Sequence, residues 1–364
     1  MAQILIRSGN PETMSYKVNA TRRKFSVVAI TMLLWQGLFS QMSFSGTDQI
    51  LKQNQKALGT NFVALVWKDG KLVYQKQFEK EPGDFNGKYQ APIGACSQWL
   101  TAALVMSFVD EGKLTLEDKV SRYIPIFATY MKSYITIRNC LTHTTGIEAD
   151  PSGPMKLLQK TKYASLEDEV NAYASKREIA ANPATEIYYS HVGPNIAGRV
   201  LEIITKKSFD RLMQERIIRP LKMRSTTFAD ENGGAVNPSG GAQSTANDYM
   251  NFLVMLMNKG LFEGKRILSE KAVAEIEKVQ YPLLSVKYIP KEAAGLLSGL
   301  GCWIQGSSGP VLSSPNLSGT WPYIDLCHNY AAILFVKNPN SEPKNEIYLR
   351  FKQSVDGQFG SGCQ

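Results

Sequence analysis

The stretch FVALVWKDGKLVY, residues 62–74, decides the fold class. Two runs rich in β-branched and aromatic residues flank Asp69 and Gly70. An Asp-Gly pair between two such runs is the strongest short-range signal for a β-hairpin. The sequence therefore predicts a two-stranded antiparallel ribbon near the start of a folded domain.

The rest of the chain separates into a helical middle and a second block of strands. Apolar residues at three-to-four spacing predict a helix over 100–109, and Gly112 stands where a helix end favours glycine. Residues 130–290 look mostly helical, 330–336 are typical of a strand, and 346–350 of a shorter strand or a helix start. We expect an α/β fold in which the first and last strands share one antiparallel sheet flanked by helices.

Composition excludes several classes of function. The 364 residues carry a formal net charge of +9, but Lys and Arg are spread along the chain and no motif for reading nucleic acid is present. The three histidines are far apart and no HExxH motif occurs, so we expect neither a metal nor another cofactor. The five cysteines are scattered and odd in number, which predicts no disulfide framework and no structural zinc site.

The N-terminal segment has the features of an export leader. Arg22, Arg23 and Lys24 precede the short apolar run FSVVAITMLLW at residues 25–35. A basic segment followed by a short apolar run is typical of a signal peptide, and this run is too short to span a bilayer. A buried N-terminal helix is the alternative interpretation. We assign residues 1–46 to the leader and expect an exported, periplasmic or secreted protein with no stable membrane span after leader removal.

Four phrases of the chain resemble the signature phrases of one family. They are EGKLTLEDKV at 111–120, ITIRNCLTHTTG at 135–146, PLKM at 220–223 and GGAQSTA at 240–246. In this order they are similar to phrases of the penicillin-binding-protein and serine β-lactamase-like family, which includes class C-type β-lactamases, esterases and D,D-peptidases. The resemblance spans about residues 60–340. It implies a β-lactamase/transpeptidase-like fold in which a helical lobe is inserted into the α/β lobe.

The resemblance also sets the expected domain bounds and the expected chemistry. It implies one domain over 47–364, with an α/β lobe at about 47–95 and 290–364, a helical lobe at about 96–289, and a cleft between them. The family transfers acyl groups through a serine ester, with Ser and Lys of an S-x-x-K motif one helical turn apart. The implied ligand is a small ester, amide or peptide-like molecule in that cleft.

The S-x-x-K position of this chain lacks both reactive groups. Aligning on the flanking residues places the motif at ACSQ, residues 95–98, so Ala95 replaces the serine and Gln98 replaces the lysine. Cys96 lies about 100° further around the helix, so we interpret it as a buried thiol rather than a replacement nucleophile. The literal S-x-x-K at 341–344 lies in a proline-containing polar stretch and is interpreted as a loop coincidence.

The second family motif, Y-x-N, aligns with Tyr189, Ser190 and His191. Without a neighbouring lysine, Tyr189 is expected to stay protonated near neutral pH and to donate a hydrogen bond. His191 replaces the asparagine that faces the ligand in the family. It is therefore either a titrating group in the cleft or a polar wall residue that bonds to the backbone.

The third family motif, K-T-G or H-x-G, aligns with Ser314, Pro315 and Asn316, so its cationic or imidazole group is gone. Leu297 and Ser298 also depart from the polar-aromatic residues expected before Gly299. Together with Ser190, we predict Ser314, Asn316, Leu297 and Ser298 as binding residues of the cleft.

Four hypotheses remain for the function. The first is a disabled hydrolase that binds a ligand without turnover, because removing the nucleophile costs several orders of magnitude in rate. The second is a repurposed or engineered cleft in which His191 and Tyr189 perform non-covalent acid–base chemistry. The third is an active serine hydrolase whose motif is misassigned, and the fourth is a globular protein with no retained ligand site.

Overall fold

A computed structural model of the chain describes residues 42–81, 83, 85–149, 163–229, 233–306, 310–315, 319–337 and 344–360. The chain divides into two compact units, Met1–Ser43 and Phe44–Gln364, and the fold below is that of the second unit. Most of the predicted leader (residues 1–41), the binding residue Asn316, and Ser341 of the coincidental S-x-x-K lie outside the described residues.

A seven-stranded antiparallel sheet forms the centre of the fold. The strands of the described residues are β1 (Phe62–Lys68), β2 (Lys71–Phe78), β3 (Ala91–Pro92), β4 (Glu186–Tyr188), β5 (Gln243–Ser244), β6 (Leu261–Phe262), β7 (Lys265–Arg266), β8 (Ser285–Tyr288), β9 (Leu297–Ser298), β10 (Trp303–Gln305), β11 (Val311–Ser313), β12 (Trp321–Asp325) and β13 (Tyr330–Val336). The central sheet has the order β2-β1-β13-β12-β11-β10-β9. The predicted antiparallel sheet is confirmed, because β1 and β13 pair side by side, with Leu65 opposite Ile333.

The hairpin predicted at residues 62–74 is confirmed as β1 and β2. Asp69 and Gly70 take φ angles of 50° and 78°. Positive φ at both central residues is the requirement of the two-residue turn that matches the twist of paired strands, which explains why Asp-Gly stands there.

Ten helices occur within the described residues. They are α1 (Ser45–Gln53), α2 (Ser97–Asp110), α3 (Ile126–Thr129), α4 (Ile137–Leu141), α5 (Leu166–Lys176), α6 (Val192–Thr205), α7 (Phe209–Met213), α8 (Ala246–Met257), α9 (Glu270–Glu277) and α10 (Asn345–Asp356). The predicted helix over 100–109 is confirmed as α2, and Gly112 follows its end with a φ of 67°. Residues 346–350 belong to a helix, α10, rather than to a strand.

Both faces of the central sheet are covered by helices. In β1, Phe62, Ala64 and Val66 pack into a core with Leu51 of α1 and Phe351 of α10. The alternate residues of the same strand, 63 and 65, join the larger core on the opposite face, to which α2 and α8 contribute. Successive side chains of a strand point to opposite faces, so a strand buried on both sides reads as a continuous apolar run.

Side-chain caps fix where several helices of the middle region begin. Ser165, Ser208, Thr245 and Ser269 precede α5, α7, α8 and α9, and each accepts a hydrogen bond from a backbone N–H of the first turn. Such caps satisfy donors that have no partner inside the helix. The cap of α8 sets the start of the helix that packs against β13.

One expectation about the cysteines needs correction. Scattered spacing and an odd count predicted no disulfide framework, but Cys327 in the turn between β12 and β13 is disulfide-bonded. Spacing carries no information here, because a single bond needs only two side chains that the fold brings together. Cys96, Cys140 and Cys302 are free and buried.

Candidate functional site

The site is built around the beginning of α2, where the sequence analysis places the position of the S-x-x-K motif. Ala95 lies half-buried in a short 3₁₀ turn, Gly94–Cys96, directly before the first residue of α2. Ser314, which follows β11, donates its hydroxyl to the carbonyl of Ala95 at 3.4 Å and accepts the Cys96 thiol on its own carbonyl at 2.9 Å. The helix start and the end of β11 are therefore joined, with Ala95 between them.

One helical turn further on, Gln98 is buried and bridges two aromatic side chains. Its Nε2 donates to the hydroxyl of Tyr189 at 2.9 Å, and its Oε1 lies 3.1 Å from Nε2 of His143. Gly301 lies close to the backbone of this helical turn, and a Cβ there would lie 2.5 Å from the backbone carbonyl oxygen of Gln98. Its φ of 68° also favours glycine. The amide thus acts at this place as a neutral donor and acceptor.

His143 is the buried end of this hydrogen-bond chain. Its ring lies 4.5 Å from the ring of Tyr189 and stacks at 6.4 Å on Trp303. Burial, with a smaller contribution from the charge of His191, lowers the pKa of His143 to about 3. The neutral ring accepts the Ser190 N–H on Nδ1 at 3.5 Å, which leaves Nε2 protonated to donate to Gln98.

Tyr189 is held in its protonated form. Burial raises the pKa of its hydroxyl, and the hydrogen bond from Gln98 lowers it by less. Its backbone N–H donates to the carbonyl of Tyr288, which ties the residue to β8. Within the described residues, the hydroxyl accepts from Gln98 and keeps its own proton as a donor. The group is suited to binding a carbonyl oxygen and not to removing a proton.

His191 lies at the exposed N-terminal end of α6. Its Nδ1 lies 3.0 Å from the hydroxyl of Ser239, which in turn donates to Oδ1 of Asn237 at 2.9 Å. The ring is therefore bonded to the buried side chain of Ser239, while the residue itself is exposed to solvent.

The predicted binding residues lie in different parts of the cleft wall. Ser190 is buried, and its hydroxyl accepts from the N–H of Val192 at 3.3 Å, so it serves the start of α6. Leu297 and Ser298 lie on the edge strand β9, two strands from β11, where Leu297 is exposed and Ser298 is buried. Ser298 pairs with Trp303, whose ring contacts Tyr189 at 6.0 Å.

Cys96 has no access to the cleft. Its side chain has no solvent exposure, and burial raises the pKa of its thiol well above the usual range. A thiol must ionise to attack an acyl group, so the structure supports the interpretation of Cys96 as a packing residue.

One group of side chains in the described residues has the composition of a metal site. Ligand atoms of Asp325, His328 and Asp356 lie within 4.8 Å of one another. However, the ammonium of Lys352 already bonds to Asp325 at 2.6 Å and to Asp356 at 2.7 Å. The cationic partner of this cluster is therefore a side chain of the protein, and the cluster joins the β12–β13 turn to α10.

Sequence reasoning missed three residues of the site. His143 stood within the phrase LTHTTG and was treated as part of the scaffold, although an aromatic base in a phrase that borders the cleft was a usable signal. Trp303 lies in none of the four family phrases. Ser239 precedes the GGAQSTA phrase, and its contact with His191 depends on two segments 48 residues apart, which no local pattern reveals.

Within the described residues, no helix combines the length and the apolar character needed to cross a membrane.

The fold and the site together define a protein of the penicillin-binding-protein and serine β-lactamase-like class. The sequence model of the Beta-lactamase family matches residues 48–355, and the chain belongs to that family. It is similar to the D-alanyl-D-alanine-carboxypeptidase/endopeptidase AmpH of Escherichia coli K12, with 25% identity over 330 residues, 82% of this chain and 83% of AmpH. It is also similar to protein Rv1367c of Mycobacterium tuberculosis, with 26% identity over 58% of this chain and 65% of that protein.

Solved structures show the same fold. A putative β-lactamase from Bacteroides dorei superposes with a TM-score of 0.76 at 24% identity, covering 87% of this chain and 98% of that chain. EstCE1, a hydrolase with promiscuous acyltransferase activity, superposes with a TM-score of 0.71 at 17% identity, covering 85% and 97% of the two chains. At these identities the likeness concerns the fold.

Proposed function

We propose that this chain is a serine-hydrolase scaffold without its nucleophile and lysine, and that it binds a ligand in the cleft instead of performing acyl transfer. One observation carries the proposal. Ala95 stands at the start of the buried helix α2, and Gln98, one turn later, is bonded to Tyr189 and His143 at 2.9 and 3.1 Å. These are the two places where the family's reaction requires a hydroxyl and an ammonium group.

The remaining groups at this place do not supply the missing chemistry. Tyr189 has a raised pKa, and the pKa of His143 is lowered to about 3, so neither exchanges a proton readily near neutral pH. Cys96 is sealed from solvent. Residues of such a site act as a unit, so losing the nucleophile alone removes about as much rate as losing the whole set.

The proposed ligand is a small ester, amide or peptide-like molecule. The hydroxyl of Tyr189 has a proton to donate, and Ala95 carries no group that could attack a carbonyl. AmpH, one of the similar proteins, is named as a D-alanyl-D-alanine-carboxypeptidase/endopeptidase. We expect this chain to bind molecules of that general chemistry, with neither nucleic acid nor a cofactor involved.

We further propose that the protein is exported, to the periplasm or the extracellular space. The basic and apolar segments at residues 22–35 support this proposal. The disulfide at Cys327 supports it independently, because disulfides persist in oxidising compartments. Recovery of the full-length protein, with its leader intact, from the cytoplasmic fraction would contradict this proposal.

The test is covalent labelling by a fluorophosphonate probe, measured as the mass of the intact protein. The wild type is compared with the double variant Ala95→Ser/Gln98→Lys and with the two single variants as matched controls. We expect the adduct mass on the double variant, a trace on Ala95→Ser, and none on Gln98→Lys or the wild type. Labelling of the wild type would overturn the proposal, and the labelled peptide would identify the true nucleophile.

A second candidate function is non-covalent acid–base catalysis by His191. The observation in its favour is the 3.0 Å contact with Ser239, which fixes the ring orientation at the exposed end of α6. A panel of small esters and amides is tested for turnover against pH, with His191→Gln and Tyr189→Phe as variants. Turnover that both variants abolish would establish this function, and turnover unchanged in His191→Gln would exclude it.

A further inference from the structure

A second groove lies outside the candidate site described above. Its volume of about 460 Å³ falls within the range of roughly 300–1,000 Å³ that is usual for small-molecule sites. Four segments distant in sequence form its walls and contribute Glu117, Tyr134, Asn139, Asn182, Ala184 and Tyr281. Neither Gln98 nor Tyr189 lines this groove, so a molecule held there would occupy a place of its own.

The groove and the candidate site share one turn of the backbone. Nδ2 of Asn139 donates to the hydroxyl of Thr144 at 3.1 Å, and the backbone N–H of Ala184 donates to the carbonyl of Thr144 at 2.9 Å. The residue before Thr144 is His143, whose ring bonds to Gln98 in the candidate site. The walls of the groove are therefore held in place by hydrogen bonds to the turn that carries His143.

Two residues on the walls have a backbone conformation that side chains other than glycine rarely adopt. The φ angle is 61° at Ala184 and 48° at Tyr281. A bulky side chain in this region is strained, and strained residues persist only where the surrounding structure holds them and concentrate at ligand sites. The fold holds Tyr281 through the amide of Asn139, which donates to its hydroxyl at 3.4 Å. A strained tyrosine is thus maintained at the wall of the groove.

The groove presents hydrogen-bonding groups that have no partner within the described part of the chain. They are the hydroxyl of Tyr134, the side-chain amide of Asn182 and Oε2 of Glu117. The hydroxyl of Tyr281 accepts from Asn139 and keeps its own proton to donate. This set combines donors with acceptors, so it suits a ligand that can both donate and accept hydrogen bonds.

The charge balance of the groove favours a neutral ligand. Glu117 is the one charged residue among the described residues that line it. Oε1 of Glu117 already accepts from Nε of Arg138 at 2.6 Å, so a cation of the protein compensates this carboxylate. A charged ligand would therefore meet no unbalanced charge of opposite sign. Tyr134 and Tyr281 add aromatic rings, whose apolar faces lie beside polar hydroxyl groups.

We propose that this groove binds a neutral sugar. A pyranose ring carries hydroxyl groups that donate and accept hydrogen bonds, and it also has an apolar face of C–H groups. The unpartnered polar groups and the rings of Tyr134 and Tyr281 complement these two properties. A purely apolar ligand fits less well, because it would take the amide of Asn182 out of water without giving it a partner. This site is additional to the cleft of the proposed function and does not depend on it.

The experiment compares neutral sugars with charged analogues of the same ring. N-acetylglucosamine, methyl β-glucoside and cellobiose are titrated into the intact chain, beside glucosamine and glucuronate, and binding is measured by ligand-observed NMR. Tyr134→Ala and Asn182→Ala are the test variants, both at exposed positions. Tyr130→Ala is the matched control, because Tyr130 is 46% exposed against 43% for Tyr134 and does not line the groove. Tyr189→Phe tests whether the sugar binds in the cleft instead.

We expect at least one of the three neutral sugars to bind the wild type, Tyr130→Ala and Tyr189→Phe with equal affinity. The same sugar should bind Tyr134→Ala and Asn182→Ala at least about tenfold more weakly, because each loses a contact to the ligand. Glucosamine and glucuronate should bind the wild type more weakly than the neutral sugars. Thermal unfolding of each variant shows that it is folded, and two test variants on different walls keep the experiment decisive if one does not fold.

Four results would overturn the inference. They are no binding of any neutral sugar, unchanged affinity in a folded groove variant, tighter binding of either charged analogue, and loss of binding in Tyr189→Phe, which would place the sugar in the cleft. The labelling experiment on residues 95 and 98 involves no residue of the groove, so its outcome is separate. Labelling as expected together with any of these four results would refute the sugar site and leave the proposed function standing.

Discussion

Gln98 donates its amide Nε2–H to the hydroxyl of Tyr189 at 2.9 Å, so the residues that we predicted at the first and second motif positions are in contact. In the family, the lysine at this helical position supports removal of a proton. Here the amide joins Tyr189 to His143 and carries no charge. The contact joins the start of α2 to the segment before α6 through a neutral hydrogen-bond chain.

The hydrogen bonds from Gln98 to Tyr189 and His143 should contribute measurably to the stability of the protein. Gln98→Met keeps the size of the side chain but leaves the hydroxyl of Tyr189 and Nε2 of His143 without their partner inside the protein. We expect a loss of about 1–3 kcal/mol in the free energy of unfolding, measured in urea. Gln305→Met, at an exposed position of β10, is the control and should change the value by less than about 0.5 kcal/mol. Equal effects of the two substitutions would mean that the bridge adds nothing.

The sequence predicted the framework because the framework depends on local chemistry. Asp69 and Gly70 specify their turn through backbone conformation, and the apolar run of β13 specifies a strand buried on both faces. The motif alignment assigns Gln98 and Tyr189 to one site, and the structure places their side chains in hydrogen-bond contact.

The chemistry of the candidate site was less accessible, for a physical reason. His143 gains its character from burial and from neighbours distant in sequence, such as Gln98, 45 residues away. Burial of a charged group is a property of the folded chain, and no period or spacing in the sequence reports it. The disulfide at Cys327 was missed for the same reason.

His143 should make stability depend on pH in acid. Its pKa is about 3 in the folded protein and near 6.5 in the unfolded chain. Between these values the unfolded chain binds more protons than the folded one, so stability falls as pH falls through this window. The expected slope is roughly 1.4 kcal/mol per pH unit at its steepest. His143→Gln removes the titrating group, so its unfolding free energy should decrease less between pH 6.5 and 4 than that of the wild type. Parallel curves for the two proteins would contradict the buried neutral ring.

The three free cysteines among the described residues should resist alkylation until the protein unfolds. Cys96, Cys140 and Cys302 are buried, and burial raises the pKa of each thiol. We expect iodoacetamide to leave all three unmodified in the native protein at pH 8 and to modify all three in guanidinium, as read by peptide mass. Met131→Cys, at a position 81% exposed, is the positive control and should react at once. Alkylation of Cys96 in the native protein would make this thiol a candidate nucleophile.

His191 should carry its proton on Nδ1 when neutral. The hydroxyl of Ser239 donates its one proton to Oδ1 of Asn237, so it can only accept from Nδ1 of His191, 3.0 Å away. Nitrogen chemical shifts of the imidazole, recorded at pH 8.5 on protein labelled with ¹⁵N-histidine, distinguish the two tautomers. Ser239→Ala removes the acceptor and should move the population toward the Nε2–H form, whereas Ser285→Ala, at an exposed position of β8, should leave it unchanged. If the wild type already shows the Nε2–H form, Ser239 is the donor in this contact. The basic nitrogen would then be Nδ1, turned toward a buried hydroxyl, and His191 would be unable to act as a base toward a ligand through that atom.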